Sequence, residues 1–545
     1  MTVSESRVPW WKRAVIYQIY PRSFQDSNAD GIGDIPGIIS RLDYLQTLGI
    51  DAIWLSPVFC SPQDDNGYDI SDYENIDPLF GTMNDMDELI CEAKSRGIRI
   101  ILDLVLNHSS DEHRWFCEAK KSRDNPYHDF YIWRDGDGIT PPTDMRASFG
   151  GSAWEWVPEL KQYYFHQYSR KQPDLNWENP AMRQEIYAMI NRWTDRGIGG
   201  YRLDVVDHLG KEPDRCIKVN GPKLHDYLRE MSAACFHRNE LVTVGEAWSA
   251  DPETAKLYSN PDGSELSMVF QFEHMKLDQR PVGDKWDIVP LDFLALKKIF
   301  SRWQTELAGE GWNSLFWDNH DLPRCVSHLG NENRFRVESA KMLAILLHGM
   351  QGTPYIYQGE ELGMTNAGDY ILEDYRDIEI LNMIQEKRAS GMPDEEILRR
   401  VRIKGRDNAR TPMQWDDSEN AGFTAGTPWL RINANYREIN AVSQMGRADS
   451  VFECYRKLIR LRKQYAVFTD GSFVPLLEDN PNLFAYRRMN DTEELTVLCN
   501  FFGETAENPL TETEQDGLLL ACNYEAVEDT SSLRPYEARM IWKKR

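Results

Sequence analysis

Eight short apolar runs, each ending in polar residues, constrain the fold of this chain more than any other feature. They lie at 14–20, 51–58, 99–107, 199–206, 241–248, 268–272, 314–321 and 354–358. Helical patterns at 35–48, 86–96, 180–196, 293–307 and 337–347 separate most of them. Strands joined through helices pair in parallel, because a parallel pair needs a crossover of a dozen or more residues. Eight such units predict closure into a (β/α)8 barrel, whose functional groups sit at the C-terminal ends of the strands.

Two regions break the alternation. Residues 108–173 are polar, rich in glycine and aromatics, and too long for a plain loop, which predicts a small domain inserted after the third strand. Past about Ala466 the helical theme stops, and strand-like runs at 483–488, 495–501 and 538–542 predict an antiparallel β-sandwich. The expected organisation is therefore a barrel over 1–107 and 174–467, an insertion over 108–173 and a C-terminal domain over 468–545. A length of 545 residues agrees with several cores.

Charge narrows the partners. With 62 basic and 87 acidic residues the net charge is −25, and no contiguous basic face is visible to hold nucleic acid or an anionic membrane. Mean hydropathy is −0.58, no run spans a bilayer, and the N-terminal stretch lacks a leader-like apolar segment. Nine cysteines without a CxxC pattern fit reduced thiols better than a disulfide framework or zinc site. These features predict a cytoplasmic protein acting on a small molecule, as a monomer.

The strand ends carry the chemistry. Gly199-Gly200-Tyr201-Arg202-Leu203-Asp204-Val205-Val206 places an arginine and an aspartate at the end of a buried strand, costly unless the pair satisfies each other or serves a function. A structural ion pair is one reading. The other is a carboxylate nucleophile, Asp204, kept ionised by Arg202. Glu246 and Asp321 end two further strands, Asp103, Asn107 and His108 close the third, and His320 precedes Asp321. Barrel closure brings these ends together, which favours the functional reading. Earlier in the chain, Asp26, Asn28, Asp30, Ile32 and Asp34 alternate through a glycine-containing loop. Oxygen ligands in that spacing suit calcium, with Ile32 offering its carbonyl; an acidic turn is the alternative.

The stretches DLVLNH (from Asp103), GYRLDVV, VGEAW and FWDNHD, with QPDLNW (from Gln172), resemble the ordered motifs of the α-amylase superfamily of glycoside hydrolases. The resemblance implies Asp204 as nucleophile, Glu246 as general acid/base and Asp321 as transition-state stabiliser. Arg202, His108 and His320 would line the subsite of the reacting glucose. A retaining double displacement follows, in which two carboxyl groups about 5–5.5 Å apart share attack and protonation. It also implies a Glu246 protonated at the outset beside an ionised Asp204.

Within the superfamily, SPVFCSPQDDNGYDISDY (from Ser56) and GRDNARTPMQWDD (from Gly405) resemble the oligo-1,6-glucosidase and glucan 1,6-α-glucosidase subfamily. There an aspartate and an arginine grip the terminal glucose and make the enzyme exo-acting. Asp65 and Arg406 match, with Arg410 the other candidate arginine, Tyr68 a stacking platform and Phe149 a further contact; Asp69 fits the motif in either a binding or a structural role. Valine after the nucleophile, here Val205, goes with α-1,6 linkages in that subfamily. Lys276 and Arg280 fall where sucrose isomerases carry arginines, and a phosphate could use such cations. Sucrose isomerase and trehalose-6-phosphate hydrolase are therefore the alternatives, with a non-catalytic binding relative further off because all three carboxylates are kept.

Overall fold

The computed structural model describes residues 8–237 and 241–545. The leaderless reading of the N-terminus rests partly on residues 1–7, which lie outside the described residues. The eight barrel strands are Ile16–Ile19, Ala52–Leu55, Arg99–Leu104, Gly200–Leu203, Val242–Glu246, Met268–Phe270, Ser314–Leu315 and Thr353–Tyr357. All pair in parallel, in the order sixth to first, then eighth and seventh. A parallel bridge between Val269 and Asn313 closes the ring.

Short strands are enough because they are buried on both sides. Every residue of the first, second, fourth, fifth and eighth strands is buried. The seventh strand is much shorter than its motif, so Asp318 to Asp321 lie beyond it in a polar turn. Register does the rest. Asp103 faces Arg202 on the fourth strand, which faces Val244 on the fifth. Side chains alternate with a period of two, so Arg202, Asp204, Asp103 and Glu246 all turn into the barrel mouth. Gly200 is required here, since an added Cβ would stand 2.3 Å from the Val242 carbonyl oxygen.

The expected helices form at Met83–Ser95, Pro180–Asp195, Phe293–Glu306 and Arg336–His348. The one expected over 35–48 is two, Ile35–Ser40 and Leu42–Leu48. Arg41 breaks it with φ −108° and ψ 6°. Its guanidinium is drawn sideways, donating to Gln25 at 2.7 Å and lying 4.2 Å over Trp415.

The insertion carries a three-stranded antiparallel sheet of Trp133–Asp135, Gln162–Phe165 and Trp154–Val157. It is tied to the barrel through Asp174, which accepts from the Gln167 N–H at 2.8 Å and pairs with buried Lys211 at 2.9 Å. Near the C-terminus, five antiparallel strands form one sheet and a two-stranded ribbon of Ala506–Glu507 and Ser532–Leu533 forms a small second layer. The sandwich is unequal because barrel helices cover part of the large sheet: Phe293 packs on Phe501 at 4.9 Å, and Tyr486 donates to the Leu346 carbonyl at 2.6 Å.

Candidate active site

One cavity of about 390 Å³ opens at the C-terminal mouth of the barrel. Its wall includes Asp204, Glu246 and Asp321, together with Asp65, Tyr68, His108, Phe149, Val205 and Arg406. Arg202 and His320 lie directly beneath. The residues singled out in the sequence for glucose chemistry are thus gathered at one place, although they span more than three hundred positions.

Arg202 is the hub. It is 1% exposed and bonds Asp103 at 2.7 Å, Asp204 at 2.8 Å and the Glu246 Oε2 atom. Its guanidinium also lies 5.1 Å from the Trp54 ring centroid and 5.7 Å from that of Tyr68. Three carboxylates around one cation cannot all be neutralised. Burial pushes Asp103 up to about 6 against the pull of Arg202. Burial likewise raises Asp204 well above the usual carboxylate range; Arg202 opposes this, while the charges of Glu246 and Asp103 and a hydrogen bond with Glu246 add to it. Arg202 thus favours the ionised Asp204 that the sequence predicts, and burial with two like charges works against it.

Val205 sits in the left-handed region, at φ 36° and ψ 49°. A β-branched residue there is strained by about 1–3 kcal/mol. The strain turns its backbone N–H toward Glu246 Oε2 at 3.3 Å and its side chain to the cavity wall.

Asp321 behaves differently. Burial works to raise it, but neighbouring positive groups overcome this and hold it far below the usual range. His320 is itself pushed down to about 3 by burial and is neutral at pH 7, so the arginines carry the effect: Arg410 at 2.8 Å and Arg406 at 3.2 Å. His320 is oriented by Tyr68, whose hydroxyl lies 2.7 Å from Nε2, and by Gln18, 2.7 Å from Nδ1. Tyr68 stacks on the same ring at 5.3 Å and 6°, so its hydroxyl and ring serve the site's framework as well as its wall. His108, lowered to about 4 by burial, receives a hydrogen bond from Asn107 at 3.1 Å and faces the Tyr68 carbonyl at 3.1 Å.

The two candidate arginines separate. Arg406 reaches the cavity, 3.5 Å from Asp65 and 5.5 Å over Phe149. Arg410 is 1% exposed and stands behind, donating to the His320 carbonyl at 3.0 Å. Asp69 is structural: it accepts from Ser61, Asp64 and Asp65, closing the turn that presents Asp65. Lys276 lines the cavity, whereas Arg280 does not.

Several site residues were not legible beforehand. Asp377 is fully buried and binds Arg406 at 2.6 Å and Arg410 at 2.8 Å; nothing in its local sequence marks it. Lys285, Glu379, Lys404 and Tyr168 also line the cavity. Trp248 belongs to the VGEAW motif, and its place two residues after Glu246 was the available signal.

The loop at 26–34 is a ladder of short-range turns. Asp26 accepts from the N–H groups of Asn28 and Ala29 at 2.9 Å and Gly31 at 2.8 Å, Asn28 from Asp30 at 2.9 Å, and Asp30 from Ile32 at 2.8 Å. Asp34 caps the following helix at Gly37, 2.6 Å away. The oxygen-only donor set suits calcium. The carboxylates of Asp26, Asp30 and Asp34 do not gather within 4.8 Å of one another; among the described residues that closeness is met by Asp318, Cys325 and Glu360.

A parallel barrel with three acidic groups converging on a buried arginine is the framework of a glycoside hydrolase. The chain belongs to the α-amylase family: the model of the alpha amylase catalytic domain matches residues 18–471. It is 52% identical to an oligo-1,6-glucosidase of Halalkalibacterium halodurans over 97% of this chain and 98% of that one. It is 54% identical to a glucan 1,6-alpha-glucosidase of Streptococcus pneumoniae, again over 97% and 98%. Among solved structures, the trehalose-6-phosphate hydrolase of Bacillus licheniformis superposes with a TM-score of 0.94 at 47% identity, covering 98% of this chain and all of that one.

Proposed function

We propose that this glycoside hydrolase is a retaining, exo-acting α-glucosidase that removes glucose from the non-reducing end of α-1,6-linked oligosaccharides such as isomaltose and panose. The observation carrying the exo reading is the Asp65–Arg406 pair, 3.5 Å apart on the same cavity wall as Asp204 and Glu246. A charged pair there offers both an acceptor and a donor to the outer hydroxyls of one terminal glucose. Val205 beside the nucleophile and the relatives' names support the α-1,6 linkage.

The reaction follows from the arrangement. Asp204 attacks the anomeric carbon while Glu246 gives its proton to the departing glycosidic oxygen, leaving a β-glucosyl ester on Asp204. Water, deprotonated by Glu246, then displaces Asp204 and releases α-glucose. Asp321, kept ionised by two arginines, accepts ring hydroxyls whose hydrogen bonds strengthen as positive charge grows on the ring.

A phosphorylated substrate has less support: of the lysines lining the cavity, Lys285 and Lys404 already pair with Glu379 and with Asp278, and Lys276 already donates to the Trp248 carbonyl. The deciding experiment is product analysis on isomaltose, panose, longer isomaltooligosaccharides, maltose, sucrose and trehalose 6-phosphate, with the anomer of fresh glucose followed by NMR. Preferential cleavage of the α-1,6 substrates with release of the α-anomer is expected. Preference for maltose, sucrose or the phosphosugar overturns the specificity; initial β-glucose overturns retention.

The same reading gives the protein a small oligosaccharide as partner and a monomeric, cytoplasmic existence. The cysteines form no disulfide among the described residues, which supports a reducing compartment, and no helix among the described residues is long and apolar enough to cross a membrane. A structural calcium ion is part of the proposal, supported by the donor chemistry; Asp26, Asn28, Asp30, Ile32 and Asp34 would hold it.

A further inference from the structure

Glu246 has its two oxygens committed to different donors. Oε2 accepts from Arg202 and from the Val205 N–H, whereas Oε1 accepts from the indole Nε1–H of Trp248 at 2.8 Å. The indole is itself clamped. Phe272 stacks on it at 3.8 Å between ring centroids and 9° between planes. Lys276 lies 5.4 Å over the ring and donates to the Trp248 carbonyl at 3.1 Å. A ring stacked face to face on an aromatic plane, with a cation over it that also holds its backbone carbonyl, has little rotational freedom, so its N–H has a set direction.

We propose that Trp248 is a positioning residue for the general acid/base. Its N–H fixes the orientation of Glu246 Oε1, and Phe272 and Lys276 act through it. The proposal rests on Glu246 being the acid/base. When the glycosidic bond breaks, Glu246 passes its proton to the leaving oxygen and becomes a carboxylate. The indole donor stabilises that charged form, as hydrogen bonds to an ionised group do, so its contribution grows as the transition state is approached. The effect scales with the leaving group's need for a proton, which separates it from sugar stacking.

Trp248→Phe keeps an aromatic ring for Phe272 and Lys276 and removes the N–H together with part of the indole face; the dependence on leaving-group acidity separates the two losses. Phenyl and 4-nitrophenyl α-glucosides have similar shapes and leaving groups of very different acidity. The variant is expected to lose roughly 10- to 100-fold in kcat/KM on the phenyl glucoside, the range for one hydrogen bond to a charged group, and several-fold less on the nitrophenyl one. The alkaline limb of the pH profile for isomaltose should move to higher pH by about half a unit or more, because a donor to the carboxylate has gone. Lys276→Met, which loosens the clamp from the cavity rim, should give the same pattern at smaller amplitude. Equal losses on both aryl glucosides with an unmoved alkaline limb overturn the proposal and leave Trp248 a sugar platform. Glu246→Gln is the control: if it shows no dependence on leaving-group acidity, the acid/base assignment falls and the role of Trp248 falls with it.

Discussion

Replacing Arg202 by Met tests the electrostatic core of the site. The side chain is 1% exposed and is shared by Asp103, Asp204 and Glu246. Methionine keeps much of the volume and removes the charge. Breaking a buried ion pair by deleting one partner costs about 3–5 kcal/mol. An unfolding entropy of roughly 2.1 cal/mol/K per residue, over 545 residues, amounts to about 1.1 kcal/mol/K, so the apparent Tm should fall by about 3–5 °C near pH 8. The sign with pH is fixed by the direction of the shifts. Asp103, already at about 6, and Asp204 stand above their unfolded values, and loss of Arg202 raises both further. A carboxyl raised on folding contributes stability that is present below its unfolded value and lost as pH rises through the folded one. At pH 5 protons take the place of the guanidinium, and the deficit should shrink. Calorimetry of both proteins at pH 5 and pH 8 measures this, and the acid limb of the variant's pH–rate profile should move upward because Asp204 ionises at higher pH. A Tm deficit equal at both pH values refutes the reasoning.

Three further outcomes follow. Val205→Thr, nearly isosteric, adds one hydroxyl at the cavity wall; its net worth of about 0.5–1.5 kcal/mol should lower the isomaltose-to-maltose ratio of kcat/KM by roughly 2- to 13-fold, and an unchanged ratio removes Val205 from specificity. Burial pushes Asp65 up to about 7 despite Arg406, so KM for isomaltose should rise as pH falls through 7, with Asp65→Asn giving a high, pH-independent KM. The same raised value means stability lost as pH rises through about 7, so Asp65→Asn should melt above the wild type at pH 8 and not at pH 5. Exhaustive chelation should lower Tm without changing the anomer released, through loss of ligand linkage; metal analysis together with an unchanged Tm decides against calcium at Asp26–Asp34.

The barrel was legible in the sequence because its information is local and repeated. Eight apolar runs with helices between them leave few other topologies, and the acidic residues at their ends declare themselves by being costly where they stand. Asp204, Glu246, Asp321 and Arg202 could be singled out because several strand-end motifs converge in one barrel, and resemblance supplied their roles. What the strands do not contain is the response of each group to the others. Only register and closure put Asp103, Asp204 and Glu246 around one guanidinium, where burial and like charges oppose the ionised nucleophile and Arg202 supports it. Only the folded loops bring Asp377 under Arg406 and Arg410, dividing two neighbouring arginines between wall and support. Strand pattern depends on each residue's own transfer free energy, which the chain carries with it. Protonation and side-chain direction depend on distances of a few ångströms between residues far apart in sequence, and those exist only once the barrel has closed.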